Sequence, residues 1–100
     1  MLHIVNKSPY SSDSLQTCLS MSLEGSDILL IEDGVYACLA KGSVANKITK
    51  LMSTCNVYVL TPDLRARGIL DEEIIKGTSQ VDYDGFVELT STNDRVQSWL

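Results

Sequence analysis

The side chains of this sequence best suited to chemistry are three thiols, one imidazole and one adjacent pair of carboxylates. Cys18, Cys38 and Cys55 lie far apart, and no two of them form a Cys-x-x-Cys pair. A disulfide framework or a zinc site needs pairs or closer ligand spacing, so the spacing predicts three reduced thiols of a cytoplasmic protein, no metal site and no cofactor. Thiolate is the reactive form of cysteine, so any chemistry here would be thiol chemistry governed by burial and neighbouring charge. Cys18 sits in "SLQTCL", about 60° around a helix from Leu15, on the flank of the stripe formed by Leu15, Leu19 and Leu23; that flank is either a buried edge or an accessible groove, and the residues alone favour a small buried, inert thiol over a reactive one. Cys38, inside "VYACLA", reads as core, and Cys55, just before a strand, reads as half-exposed.

The carboxylate pair is Glu32–Asp33, followed by Gly34, at the end of the apolar run "ILLI". Adjacent residues at a strand end point to opposite sides, which argues against two carboxylates sharing one proton. The expectation is a strand rim: the carboxylates meet water, Asp33 caps the next helix and Gly34 allows the turn. His3 lies inside the first apolar stretch and reads as a satisfied core or sheet-face histidine. Arg65 and Arg67 straddle Ala66 in a short helix and are expected to be solvated. "KGSVANK" lacks the spacing of a phosphate-binding P-loop.

These residues are positioned by alternating strands and helices. "LHIV" and "DILLI" are continuous apolar runs, the pattern of strands buried on both faces of a parallel sheet, and "NVYVL" is a third such strand. "TSQVD" is a weaker fourth strand near an edge. Helices are expected from Ser14 to the stop at Gly25, over "VYACLA", over 43–53 with Ser43 as cap, and from Thr61–Pro62 to Gly68. "DEEIIKG" and "YDGFVELTSTND" have helical character, and "RVQSWL" closes the chain. The fold class is α/β: a single domain over residues 1–100, a three-layer sandwich with a mostly parallel four- to five-stranded sheet. The loops Asn6–Pro9, Glu32–Gly34 and Thr61–Asp63 would gather at the carboxyl edge of that sheet, where ligands sit in such folds. A small-molecule binding module using these loops is therefore one functional reading.

The chain has 100 residues, 44% of them apolar, and a net charge of −5. So small a domain hides only about two thirds of its unfolded surface, which leaves apolar area for partner chains, Trp99 and Leu100 included. The acidic balance, with Lys41, Lys47 and Lys50 as the only loose basic cluster, gives no field for a nucleic-acid backbone. No apolar run reaches membrane-spanning length, and the N-terminus has no signal-peptide pattern.

Taken in order and spacing, "LHIVNKSP", "EGSDILLIEDGVYA", "VYVLTPDLRARG" and "VDYDGFVELT" with "VQSWL" resemble the TusB/DsrH family of small sulfur-relay proteins. The resemblance implies a DsrE-like fold and a cytoplasmic subunit of a TusBCD- or DsrEFH-type complex. Such a complex is a heterohexamer with two copies each of this chain, a TusC/DsrF-like and a TusD/DsrE-like subunit. It passes persulfide sulfur to a downstream acceptor, in tRNA wobble-uridine 2-thiolation or in sulfur oxidation. The principal sulfur-carrying cysteine belongs to the TusD/DsrE subunit, so this chain would be mainly structural. A cysteine on the first helix is a DsrH-type feature, so the resemblance makes Cys18 the candidate accessory persulfide carrier and leans towards the DsrH-like branch.

Overall fold

The computed structural model describes residues 1–99; Leu100 and its expected place in a subunit contact lie outside the described residues. Five strands form one sheet: β1 (Leu2–Val5), β2 (Asp27–Leu30), β3 (Asn56–Leu60), β4 (Ser79–Val81) and β5 (Val96–Trp99). Their order is β4-β3-β2-β1-β5, and every pairing is parallel. From β1 to β4 the chain steps one way across the sheet, through α1 (Ser14–Met21), α2 (Ala45–Leu51) and α3 (Thr61–Ala66). It then returns through α4 (Tyr83–Thr92) to set β5 beside β1. Right-handed crossovers require a reversal of direction to use the opposite face. The packing agrees. Leu15 and Cys18 of α1, Ile48 of α2 and Leu64 of α3 share one core with Val5, Ile28, Leu30, Val57 and Val59. Leu89 and Phe86 of α4 cover Leu2, Ile4 and Leu29 on the other face. The three-layer α/β sandwich expected from the sequence is present, and its sheet is wholly parallel.

Apart from His3 in β1 and Asp27 at the start of β2, these two strands are apolar because both their faces are covered. Strand β5 is exposed except for half-buried Trp99, so it never needed an apolar run. Other boundaries depart from the expectations for local reasons. Helix α1 ends at Met21, where Ser22 turns extended, four residues before the expected stop at Gly25. After β2 the chain forms a 3₁₀ helix over Glu32–Cys38, and its flanking residue is Ile31, with no side-chain cap from Asp33. Helix α2 starts after Val44 without a cap from Ser43. "DEEIIKG" holds only a 3₁₀ turn over Asp71–Glu73, closed by Glu73, whose carboxylate accepts the Leu70 N–H at 2.9 Å. Helix α3 ends at Ala66 with Arg67 as its cap, two residues short of the expected Gly68, which follows with φ of +67°, a value that suits a residue without a Cβ. Gly34 serves another purpose than the turn: a Cβ there would lie 2.2 Å from the Val5 carbonyl oxygen. Glycine is what lets the 3₁₀ segment lie directly against the end of β1.

Candidate functional site

The three thiols lie within one core, on the face covered by α1, α2 and α3. Cys18 is 0% exposed: it points inward with Leu15 and stands at the centre of the buried face. That corrects its expected place on the flank. The stripe is shorter than supposed, because Leu23 lies beyond α1 and is 76% exposed. The Cys18 Sγ sits 3.9 Å from the Ser22 hydroxyl, which itself donates to the Cys18 carbonyl at 2.8 Å. Cys55 is buried too, not half-exposed; its thiol donates to the Leu23 carbonyl at 3.4 Å. The two thiols therefore flank the Ser22–Leu23 segment that leaves α1. Burial pushes the Cys18 thiol up to about 11, with the Ser22 contact opposing the rise and Cys55 adding to it. Burial likewise raises Cys38 to about 11. At neutral pH a thiol with such a pKa is thiolate in only about one molecule in ten thousand.

The carboxyl edge of the sheet collects charges that satisfy one another. Arg67 donates from Nε and Nη2 to Asp33 Oδ1 at 3.0 and 2.9 Å, and from Nη1 to the Asp63 carbonyl at 3.1 Å. The Asp63 carboxylate accepts the Glu32 N–H at 2.6 Å. Glu32 itself adopts φ of +50°, a left-handed conformation uncommon outside glycine, and this hydrogen bond ties it to the loop after β3. Nearby, Arg65 Nη2 pairs with Asp71 Oδ1 at 2.8 Å, and Gln80 donates to the same oxygen at 3.1 Å. The Arg65 hydrogen bond and then that of Gln80 hold the Asp71 carboxyl below its ordinary range. Both arginines, expected to be solvated, are thus partners within the chain. Asp33 is bound to Arg67 and Glu32 is exposed, so the strand-end carboxylates do not converge as an acid–base pair. Asp63 is the residue whose role the sequence hid. It lies in one of the three strand-end loops, but its partners are 31 residues back, at Glu32, and within its own helix.

His3 is a core residue as expected, and its partner comes from the other end of the chain. The Trp99 indole Nε1–H donates to His3 Nδ1 at 3.1 Å, and the rings stack with centroids 6.1 Å apart. Indole can only donate, so Nδ1 must accept and the neutral ring carries its proton on Nε2. Among the described residues, that Nε2 is buried without a hydrogen-bond partner, so the histidine expected to be satisfied is satisfied at one nitrogen only. Burial lowers the His3 pKa, and the positive N-terminus adds to the effect.

Outside these clusters, a cleft of about 410 Å³ opens among Tyr10, Leu39, Ala40, Gly42, Glu72 and Glu73, on loops that follow β1, β2 and α3. Among the described residues no group of three or more His, Cys, Asp or Glu side chains could hold a metal ion. Among the same residues no helix is long and apolar enough to cross a membrane.

A five-stranded all-parallel sheet, three helices on one face and one on the other, defines a small α/β protein of the DsrE-like fold. Two solved structures carry the same architecture over nearly their whole lengths. The ychN protein from E. coli has a TM-score of 0.78 at 22% identity, covering 97% of each chain. The protein MTH1491 from Methanobacterium thermoautotrophicum has a TM-score of 0.78 at 12% identity, covering 97% of this chain and 95% of that one. Within that fold, this chain belongs to the TusB/DsrH family. The family model described as "DsrH like protein" matches residues 7–96. Protein TusB of Pectobacterium parmentieri is 39% identical over 99% of this chain and all of its own length. Protein TusB of Erwinia tasmaniensis is 35% identical and that of Buchnera aphidicola subsp. Baizongia pistaciae 34%, over the same shares.

Proposed function

We propose that this chain is a structural subunit of a cytoplasmic sulfur-relay complex serving 2-thiolation of the wobble uridine of tRNA. It completes an assembly with TusC-like and TusD-like sister chains, and the sister chain of TusD type presents the principal sulfur-carrying thiol to the downstream acceptor. The observation that carries this reading is the full-length match to proteins named TusB, at up to 39% identity. The same names favour tRNA thiolation over the sulfur-oxidation branch towards which Cys18 leans. The sealed thiols support a structural role, because a persulfide carrier needs a sulfur that a donor can reach.

Cys18 enters the proposal as an accessory thiol that acts only when α1 lifts from the sheet. Its thiolate would then attack the outer sulfur of a donor persulfide. The donor's S–S bond breaks, the donor leaves as thiolate, and Cys18 holds the persulfide.

Co-expression with the two sister chains tests the assembly: recovery of all three in equal amounts is expected, and recovery of this chain alone would overturn it. Deleting this chain should remove 2-thiouridine from the wobble position; unchanged 2-thiouridine with a loss of sulfur oxidation would move the protein to the other branch. Mass analysis after incubation with a persulfide donor should show no added sulfur on the isolated chain. A sulfur atom gained by the free subunit and lost in Cys18→Ser would make Cys18 a carrier without opening by a partner.

One observation favours a second reading, a small-molecule binding module: the cleft beside Tyr10 and Leu39, whose lining sets Glu72 and Glu73 against the single cation of Lys41. A saturable rise in melting temperature with a small cation, abolished by Leu39→Trp in a chain that fails to bind the sister subunits, would favour it.

A further inference from the structure

The outer edge of β5 carries a hydrogen-bonding row with a definite phase. The Leu2 N–H donates to the Arg95 carbonyl at 2.9 Å, and Leu2 lies opposite Val96 in the register. In a parallel ladder, residues that bond one neighbour alternate with residues that face away from it. Arg95, Gln97 and Trp99 therefore turn their backbone groups to β1, and Val96 and Ser98 turn theirs outward. The Ser98 carbonyl confirms this phase, since it accepts the Gln97 side-chain amide at 3.2 Å. Edge strands are ordinarily blunted by Lys, Pro, a bulge or a covering segment. None of these devices is present in Val96–Gln97–Ser98, and all three residues are exposed. The opposite edge, β4, has only three residues, and its Gln80 is engaged by Asp71 and Thr61.

We propose that β5 pairs antiparallel with β5 of a second copy of this chain, about a two-fold axis through Gln97, joining two sheets into one. In this register Val96 of each copy exchanges both backbone hydrogen bonds with Ser98 of the other, using every outward group of the described strand. Gln97 faces its own counterpart in the central, non-hydrogen-bonded pair. A carboxamide is both donor and acceptor, so once the Gln97 amide leaves the Ser98 carbonyl of its own chain for the carboxamide of the other copy, this contact is self-complementary, as an isologous interface must be. Arg95 comes to lie across from Trp99 of the second copy, where a guanidinium and an indole attract. A slip of one residue would match outward groups with groups already bonded to β1. Centring on Val96 instead would set Ser98 against Asp94, beyond the strand. The inference does not depend on the sulfur-relay reading, since it uses only the edge chemistry of β5.

The full chain in about 0.15 M salt, where surface repulsion between acidic copies is screened, is expected to show twice its 11.0 kDa mass by light scattering. Ser98→Pro removes one outward N–H and leaves the β1 ladder whole, so it should weaken the dimer by about tenfold or more with the far-UV circular dichroism unchanged. Gln97→Cys should cross-link under copper-phenanthroline and oxygen, two thiols giving one disulfide as oxygen is reduced. Ser98→Cys, which is not opposite itself, should not. A monomer at all concentrations would overturn the proposal. So would a dimer that Ser98→Pro leaves intact. If Ser98→Pro fails to fold, absence of a cross-link in folded Gln97→Cys overturns it alone.

Discussion

The thiol of Cys18 and the imidazole of His3 face the same physical question, how a polar or reactive group behaves under a layer of apolar side chains, and their answers can be measured separately. With Cys18 and Cys38 held near 11 and all three thiols buried, the folded chain at pH 7.5 should take up no alkylating reagent over a time in which the denatured chain takes up three. Mass spectrometry reads this directly, and fast modification of Cys18 in the native chain would show that α1 opens on its own. His3 carries a pH dependence whose sign follows from its lowered pKa. The fold favours the neutral ring, so its contribution is complete above the ordinary value of 6.5 and is lost as pH falls through and below it. Protonation also puts a proton on Nδ1, where the Trp99 indole N–H now donates, and so breaks that hydrogen bond. The melting temperature should drop between pH 7.5 and pH 5.5, with a change in the fluorescence of the sole tryptophan, and His3→Gln should flatten both. Gly34→Ala tests geometry rather than charge. Its Cβ would overlap the Val5 carbonyl, backbone against backbone, so a loss of about 3 kcal/mol or more is expected in urea unfolding.

At the scale of elements, α4 bears more responsibility than its single crossing suggests. Among the described residues it is the one helix on its face of the sheet, and Leu89 is its buried anchor over Leu2, Ile4 and Leu29. Leu89→Ala should cost about 2–4 kcal/mol, visible as a lower urea midpoint, because no second helix can close the cavity. Val87, exposed on the same helix, should tolerate the same change. This contrast also marks what the sequence made legible. Strands β1, β2 and β3 could be read because burial on both faces forces unbroken apolar runs, and β4 because a polar strand belongs at an edge. Strand β5 was hidden in "RVQSWL": a strand with one exposed edge and little burial leaves no periodic trace. Pairing with β1 makes it a strand, and that contact spans the whole chain. The site was legible to the same degree. Sequence placed Cys38 in the core and disfavoured Glu32–Asp33 as an acid pair, both from local pattern. The Arg67–Asp33 bond and the Glu32–Asp63 bond join loops 34 and 31 residues apart, and nothing local announces them. The sequence sets Cys18 on the flank because α1 reads as four residues too long, and Cys55 reads as half-exposed because the Leu23 carbonyl that its thiol meets lies 32 residues back in the chain.

For the molecule as a whole, surface charge and surface grease point in one direction. The net charge is −5, and the one loose basic cluster read from the sequence is spread over Lys41, Lys47 and Lys50, with Lys47 already bonded to Gln16. Phosphate backbones are held by several cations acting together, with affinity that falls steeply as salt displaces condensed counterions. Three separated lysines on an acidic body supply too few contacts to survive about 0.15 M salt, where charges beyond roughly 8 Å are screened. Labelled tRNA mixed with the isolated chain should therefore show no rise in anisotropy at micromolar protein, whereas the assembled complex with its sister chains should bind if one of those chains carries the basic face. Lowering the salt discriminates further. Weak binding that appears only near 0.01 M salt and vanishes in Lys47→Glu would be nonspecific attraction to the lysine cluster, and tight binding by the free chain at physiological salt would contradict the structural role. Meanwhile Leu23, Val87, Tyr83 and Met21 each remain more than 60% exposed. A chain that leaves such side chains in water and lacks the charge to hold a nucleic acid is built to meet other proteins, so under the proposed function any effect on tRNA passes through them.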